Sequence, residues 1–465
     1  MTYTSHPVLQ RRRKIDGLQI KSKIIGGIIK YIQQMKTMDV IVQETFQALL
    51  DCVGEKKKVT NKFSPSIYMA PITLRKLSES SFTPRVVSIG PLHRKDENLQ
   101  LFEVRKAAFV HELLSRSGPP LTQTLNACVQ KVTSIIENIR SCYADLKDYD
   151  DIELAKMMVM DACFILEFIH DIKGKKYSGT NLRLQDQYIP YDLVLLENQI
   201  PFFVLEDIYE CIIYKFEEAL PLAEFIQPLL KYANLFKRKL KVGVSGSYIN
   251  HDHILGFLHY CYQPECYISS SFPSSTIHSV VELDRAGVNF KPNHDAEWPM
   301  AMEVKMSRYC SSFLWLWNKP TLTMPTLCID DFTELVLRNL LAYEQSYVVD
   351  PYVTSYARAM DMLIDTHEDI AKLVTSKVII NHIGSNEEAA NMINKICKEL
   401  APEHFYYTKQ WEQLDKHFRG YWPRKIVKLK RTYFNSPWSM IALFAGFSLF
   451  VLAMLQTIFT IMSSS

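Results

Sequence analysis

The sequence predicts a mainly α-helical body with a small antiparallel β-sheet, an α+β fold, followed by one transmembrane helix at the C-terminus. Three observations predict it. Helical periodicity runs through residues 99–205, including a helix apolar on nearly every side. Short β-rich pieces cluster between residues 287 and 329. No charge occurs after Arg431, where the chain turns apolar. An apolar fraction of 48% over 465 residues is ample for a large core, and 22% charged residues is the balance of a globular chain. The net charge of +3 gives no whole-protein attraction to nucleic acid, so basic residues matter only where they cluster.

Residues 1–60 read as a basic extension, peripheral or poorly ordered. The first 36 residues carry eight Lys/Arg against a single acid, Asp16, and Met38 is an alternative start. Ile24–Ile29 is too short for the apolar core of a signal peptide and is bracketed by Lys23 and Lys30. The run Arg11, Arg12, Arg13, Lys14 lacks the interleaved aromatics of a nucleic-acid platform. The body, residues 61–431, divides into lobes 61–241 and 280–431, joined by a Gly/Ser/Pro-rich loop between Val242 and Ser279.

In the first lobe Leu99–Ser115 alternates apolar and charged positions with helical period, and Glu153–Ile169 should be a core helix. Asp192 can cap a short helix, and Pro201 suits the first position of the next. The polar triplet Glu197, Asn198, Gln199 then falls at a tight corner between two apolar helices. In the second lobe Gly287–Phe290, Ala301–Met306 and Leu322–Ile329 read as strands, with helices over Asp331–Tyr343, 354–375 and 386–400.

Residues 438–462 have the length and composition of a membrane span. At about 1.5 Å per residue the segment covers roughly 37 Å, against a hydrocarbon core of roughly 30 Å. Twelve of these residues are Leu, Ile, Phe or Val. Arg424, Lys425, Lys428, Lys430 and Arg431 crowd the N-terminal flank, Trp438 sits at the interface position, and only three serines follow. The charge bias leaves the body in the cytosol, as in a tail-anchored protein, with the basic neck near the lipid surface.

The chemistry-bearing residues have competing structural readings. Glu197 beside two amides could serve as an acid/base or bind a polar ligand, but its Leu- and Phe-rich flanks favour a role at helix ends. Asp161 and Glu167 share the most apolar helix about 240° apart, so they form no pair by themselves, and a buried Asp bonded to another helix is preferred. His251, His253, His259, Cys261 and Cys266 are metal-ligand types whose spacing matches no familiar closed zinc site. Gly243–Ser247 lacks the second glycine of a nucleophile elbow, and His111-Glu112 has no following histidine for a zincin. Walker and dinucleotide fingerprints are missing. The ten cysteines follow no repeat and read as reduced thiols, in keeping with a chain without Asn-x-Ser/Thr sites.

Several stretches in order carry a family resemblance. They are Ser88-Ile89-Gly90-Pro91 with His93; Met157-Met158 with Asp161-Ala162-Cys163-Phe164-Ile165-Leu166-Glu167; and Leu195-Leu196-Glu197-Asn198-Gln199-Ile200-Pro201-Phe202-Phe203. Then follow Ala286-Gly287-Val288-Asn289-Phe290, Arg338-Asn339-Leu340 with Glu344-Gln345, Met360-Asp361 with Leu363-Ile364, and Tyr433-Phe434 before Pro437-Trp438-Ser439. Over roughly residues 65–462 the chain resembles the plant family catalogued as domain of unknown function 247, also UPF0481. The resemblance implies a plant membrane protein with one C-terminal span, in a family with members tied to pollen–pistil self-recognition. Leu92 departs from the aromatic usual after Gly-Pro, and residues 1–60 lie outside the shared region.

The functional expectation is a membrane-anchored interaction, recognition or signalling-associated module without a nameable catalytic signature or cofactor. Its partners would be membrane lipid, through residues 438–462, and a protein, but not nucleic acid. It would sit as a single-pass protein in the plasma membrane or an endomembrane. The alternatives are an enzyme built on the carboxylates Glu197 and Asp161, and a metal-binding module at 251–266.

Overall fold

One helix organises the body. Asp151–Lys173 carries apolar residues on nearly every side, and 15 of its 23 residues are buried. Its start is fixed by a capping box: the Asp150 carboxylate accepts from the Glu153 N–H at 2.8 Å while Glu153 reaches back to the Asp150 N–H. In the computed structural model the described residues are 42–45, 65–116, 118–146, 149–174, 186–212, 220–240, 251–265, 271–273, 278–306, 320–345, 349–400, 404–419 and 437–463. Two compact units are separable, Met1–Ser64 and Pro65–Ser465. Of the first, residues 42–45 are described, as helix.

In chain order the second unit has α1 (Ile72–Leu77), α2 (Gln100–Arg116), α3 (Leu121–Ser134), α4 (Ile136–Ser141) and the central α5 (Asp151–Lys173). Next come α6 (Ile189–Asp192), α7 (Phe202–Ile212), α8 (Leu222–Phe225), α9 (Gln227–Leu230), α10 (Ile254–Tyr260) and α11 (Val280–Arg285). The strands are β1 (Asn289–Pro292), β2 (Glu303–Met306), β3 (Pro320–Met324) and β4 (Leu327–Ile329). After α12 (Thr333–Glu344), α13 (Tyr352–Leu363) and α14 (His367–Thr375) come β5 (Ile379–Asn381), α15 (Asn386–Ile396), α16 (Thr408–Arg419) and α17 (Pro437–Ser463).

Helices α2, α3 and α7 pack around α5. Phe164 of α5 meets Phe102 and Phe109 of α2 edge-on, with centroids 5.4 and 5.1 Å apart, the arrangement aromatic quadrupoles favour. The fold is mainly helical with small sheets, in line with its sequence. The expected antiparallel pairing occurs between β2 and β3, with Val304 opposite Leu322. The other pairings are parallel: β1 with β3, and β4 with β5.

Two elements expected to be continuous are broken, each for a local reason. Leu322–Ile329 divides at Pro325, which has no N–H to give a ladder, so β3 and β4 enter different sheets. The helix expected over 354–375 stops at Leu363. Thr366 then caps α14, with the Asp369 carboxylate accepting from its N–H at 3.0 Å. The polar corner at 197–199 does lie between two helices, α6 and α7. Asp192, however, is the last residue of α6 and caps nothing, because Pro190 starts that helix early and Asp192 points elsewhere.

Helix α17 carries an 18-residue apolar stretch, Phe444–Ile461, long enough to cross a membrane, and none of it is buried against the rest of the protein. The basic neck residues Arg424, Lys425, Lys428, Lys430 and Arg431 lie outside the described residues, as do most of residues 1–60.

Candidate functional site

The motif residues converge on one irregular segment, Arg85–Arg94. Buried backbone outside helix and sheet must find side-chain partners, and here it does so almost residue by residue. Asp192 accepts the N–H groups of Arg85, Val86 and Val87 at 2.9, 2.7 and 3.0 Å. Asn198 accepts from Ile89 N–H at 2.7 Å and donates to the carbonyls of Val87 and Asp192 at 3.0 and 2.9 Å. Asp161 accepts the Gly90 N–H at 2.8 Å, Lys106 donates to the Ser88 carbonyl, and the Tyr149 hydroxyl donates to the Pro91 carbonyl at 3.2 Å. Burial pushes the Asp192 carboxyl up to about 6, although its three backbone donors oppose the rise.

Two further fully buried carboxylates hold the C-terminal part of this strap. Glu197 accepts the Ala70 N–H at 2.8 Å on Oε1; its Oε2 pairs with Arg75 and with His93 at 2.9 Å. Asp161 pairs through Oδ1 with Lys106 at 2.5 Å and Arg94 at 3.5 Å, while Glu103 joins the same two cations at 2.8 and 2.5 Å. All four carboxylate oxygens of Glu197 and Asp161 are thus taken by backbone N–H groups or cations. What this geometry does chemically is lock α1, the strap, α2 and α5 to the corner at 197–199. Gln199 completes the corner, donating to the carbonyls of Leu193 and Leu195 at 2.9 and 2.7 Å. Asn339 ties it to α12 by accepting the Leu196 N–H at 2.8 Å and donating to the Ser81 carbonyl at 2.6 Å.

The residues with metal-ligand chemistry in 251–266 go to different hydrogen-bond partners, although the His253 and His259 rings both meet Tyr343 edge-on, at 5.0 and 5.3 Å. The His251 ring lies 5.3, 4.6 and 4.9 Å from Phe202, Phe257 and Tyr260, and burial pushes it down to about 4. His253 caps α10, its Nδ1 accepting from Gly256 N–H at 3.0 Å while Nε2 donates to the Ser66 carbonyl at 3.2 Å. His259 donates through Nε2 to Glu344 at 2.7 Å, and its Nδ1 meets the Tyr352 hydroxyl at 2.7 Å. Glu344 also accepts the N–H groups of Val353 and Thr354 at the start of α13, at 2.8 and 2.6 Å. Burial pushes the Cys261 thiol up to about 12, and Cys266 lies outside the described residues.

Among the described residues a different trio, Glu167, His170 and Asp171 on α5, places ligand atoms within 4.8 Å of one another. The Arg116 guanidinium already pairs with Glu167, standing where a cation would bind. The described cysteines are all free thiols, and burial raises those of Cys142 and Cys397 to about 11 and 12, which makes them poor nucleophiles at neutral pH.

Sequence reasoning missed the cations: Arg75, Arg94 and Lys106 belong to the clasp as much as the acids do. One signal was available. Lys106 stands on the α2 stripe that buries Phe102, Phe109, Val110 and Leu113, where a lysine needs a buried acid.

The chain is thus a mainly helical body locked by such a clasp, with one apolar helix, α17, long enough to cross a membrane. The chain belongs to the plant protein family of unknown function DUF247, which it matches over residues 67–452. It is 27% identical to the UPF0481 protein At3g47200 of Arabidopsis thaliana, over 86% of this chain and 87% of that one. It is 24% identical to the putative UPF0481 protein At3g02645 of the same plant, over 86% and 90% of the two chains. No solved structure matches the chain.

Proposed function

We propose that this protein is a membrane-tethered interaction module: α17 anchors it in a bilayer and the body presents a surface to a protein partner. One observation carries the reading. Glu197 and Asp161, the carboxylates the sequence offers as candidate acids or bases, have every oxygen occupied by the protein itself. A general acid or base needs a lone pair or proton within reach of substrate. The apolar, uncovered face of α17 supports tethering, and confinement to a membrane raises the effective concentration toward partners there. The basic residues of the neck support a cytosolic body.

Deleting Trp438–Ser465 should move the body from the carbonate-resistant membrane fraction to the soluble one. A truncated chain that still resists carbonate extraction refutes the tether. Protease treatment of sealed vesicles reads the orientation: a cytosolic body is digested without detergent, and a protected body reverses the assignment.

A further inference from the structure

Helices α3, α5 and α7 pack on one another pairwise, and each carries one cysteine. Cys128 lies on the buried stripe Thr124, Cys128, Val132 of α3, and Cys163 lies in the buried centre of α5. Cys211, in the last turn of α7, is half-buried.

An ion pair fixes how α3 and α7 meet: Lys131 Nζ lies 3.1 Å from the Asp207 carboxylate. Cys128 stands three residues before Lys131 and Cys211 four residues after Asp207, spacings that keep each cysteine on the face of its ion-paired neighbour. Lys131 is within electrostatic reach of Cys211 itself. Cys163 has both of the other cysteines for neighbours: burial raises its thiol well above the ordinary range, and Cys128 and Cys211 add to the rise. Among the described residues Cys328 is the other half-buried thiol, and it lies beside Asp330 and Lys237. The trio thus joins one thiol open to solutes with two that are closed to them.

We propose that Cys211 is a modification site for peroxides, and that one of the two buried thiols beside it, Cys128 or Cys163, then closes a disulfide with it. In the first step the Cys211 sulfur attacks the peroxide O–O bond and takes one oxygen. The sulfur is oxidised to a sulfenic acid, and the peroxide is reduced to water or an alcohol that carries off the thiol proton. In the second step the neighbouring thiol attacks Cys211 Sγ. The S–O bond breaks as the S–S bond forms, and the released hydroxide leaves as water with the attacking thiol's proton. Burial in apolar surroundings keeps a thiol protonated, so closure is slower than the first step and the sulfenic acid can be trapped. The crosslink ties the last turn of α7 to α3 or α5.

The test treats the full chain in detergent micelles with hydrogen peroxide, with and without dimedone, and maps its peptides by mass spectrometry under non-reducing conditions. A dimedone adduct at Cys211 is expected. Without dimedone an intramolecular disulfide should join Cys211 to Cys128 or Cys163, with two thiols lost per chain and both returned by dithiothreitol. Cys211→Ser should abolish adduct and disulfide, whereas Cys328→Ser should leave both unchanged. Cys128→Ala and Cys163→Ala separate the steps, because the variant lacking the resolving thiol keeps the adduct and loses the disulfide. A Cys211 that stays reduced, or that passes to the sulfinic acid without a disulfide, overturns the proposal. So does a bond from Cys211 to any other cysteine or to a second chain. The wild type and Cys211→Ser, changed only at a half-buried position, decide this without the core variants.

Discussion

Replacing Gly90 by alanine isolates the strap from everything else in the fold. Gly90 has φ +70, in the left-handed region, and an added Cβ would lie 2.4 Å from the Gln199 carbonyl oxygen and 3.1 Å from the Tyr143 hydroxyl. The backbone conformation alone costs an alanine about 1–2 kcal/mol. The collision is with backbone, so relief requires the strap to move off the corner. That movement sacrifices the Ile89–Asn198 hydrogen bond at 2.7 Å and the Gly90–Asp161 bond at 2.8 Å. A neutral bond of this kind contributes about 0.5–1.5 kcal/mol and one to a charged group about 1.5–3. The sum is a destabilisation of about 3–6.5 kcal/mol.

Gly118 supplies the control: its φ is +82, but nothing lies within 4 Å of its Cβ position. Gly118→Ala should therefore cost only the conformational part, about 1–2 kcal/mol. Urea unfolding of the full chain in detergent micelles measures both, read through the fluorescence of the buried Trp411 and the neighbouring Trp298 in the aromatic cluster with Tyr407. A Gly90→Ala loss within about 1 kcal/mol of the Gly118→Ala loss refutes the steric clamp.

Lys106→Met should cost about 3–5 kcal/mol, because it strips the buried Asp161 of its nearest cation. The Lys106→Met/Asp161→Leu double variant should lose less than the two single losses added together, as a double-mutant cycle in thermal or urea unfolding will register. Lys377 holds φ 62 just past α14, where its own N–H and that of Val378 bond back to the carbonyls of Val374 and Leu373 at 2.9 Å each. Lys377→Gly relieves the left-handed strain and should stabilise the body by about 1 kcal/mol, visible as a higher urea midpoint. Two variants should bend the pH dependence of stability in opposite senses. Asp192 is raised from 3.8 to about 6, so the folded state holds its proton more tightly. Its contribution is present below about pH 4 and lost as pH rises through 6, a span worth about 3 kcal/mol that Asp192→Asn removes. His251 is lowered from 6.5 to about 4, so the unfolded chain binds the extra proton and stability falls as pH drops from 6.5 to 4. His251→Phe should flatten that fall in urea midpoints taken across the same window.

How legible a feature was depended on whether its cause was local. The apolar run of α5, the 3.6-residue pattern of α2 and the charge-free tail are properties of neighbouring residues, so the helices and the terminal apolar segment could be placed from the sequence. The expected helix over 354–375 failed for the opposite reason. Periodicity carried through Leu363, while the break comes from a cap at Thr366 and from Asp369, whose other oxygen accepts the distant Val281 N–H at 2.8 Å. At the polar corner the residue types were conspicuous but their partners were not. Glu197 reaches back 127 residues to Ala70 and 122 to Arg75, and Asn339 reaches 258 to Ser81.

By itself, then, the sequence determined the helical class of the body, its central apolar helix and the segment able to enter a membrane, since periodicity and hydrophobicity act within a few turns. Tertiary structure alone decided that Asp161, Asp192, Glu197 and Asn198 clasp one strap, and that His251, His253 and His259 each take different partners. The physical reason is that a hydrogen bond or ion pair is set by distance in space. Residues a hundred positions apart meet only once the core has collapsed and buried polar groups must each find a partner.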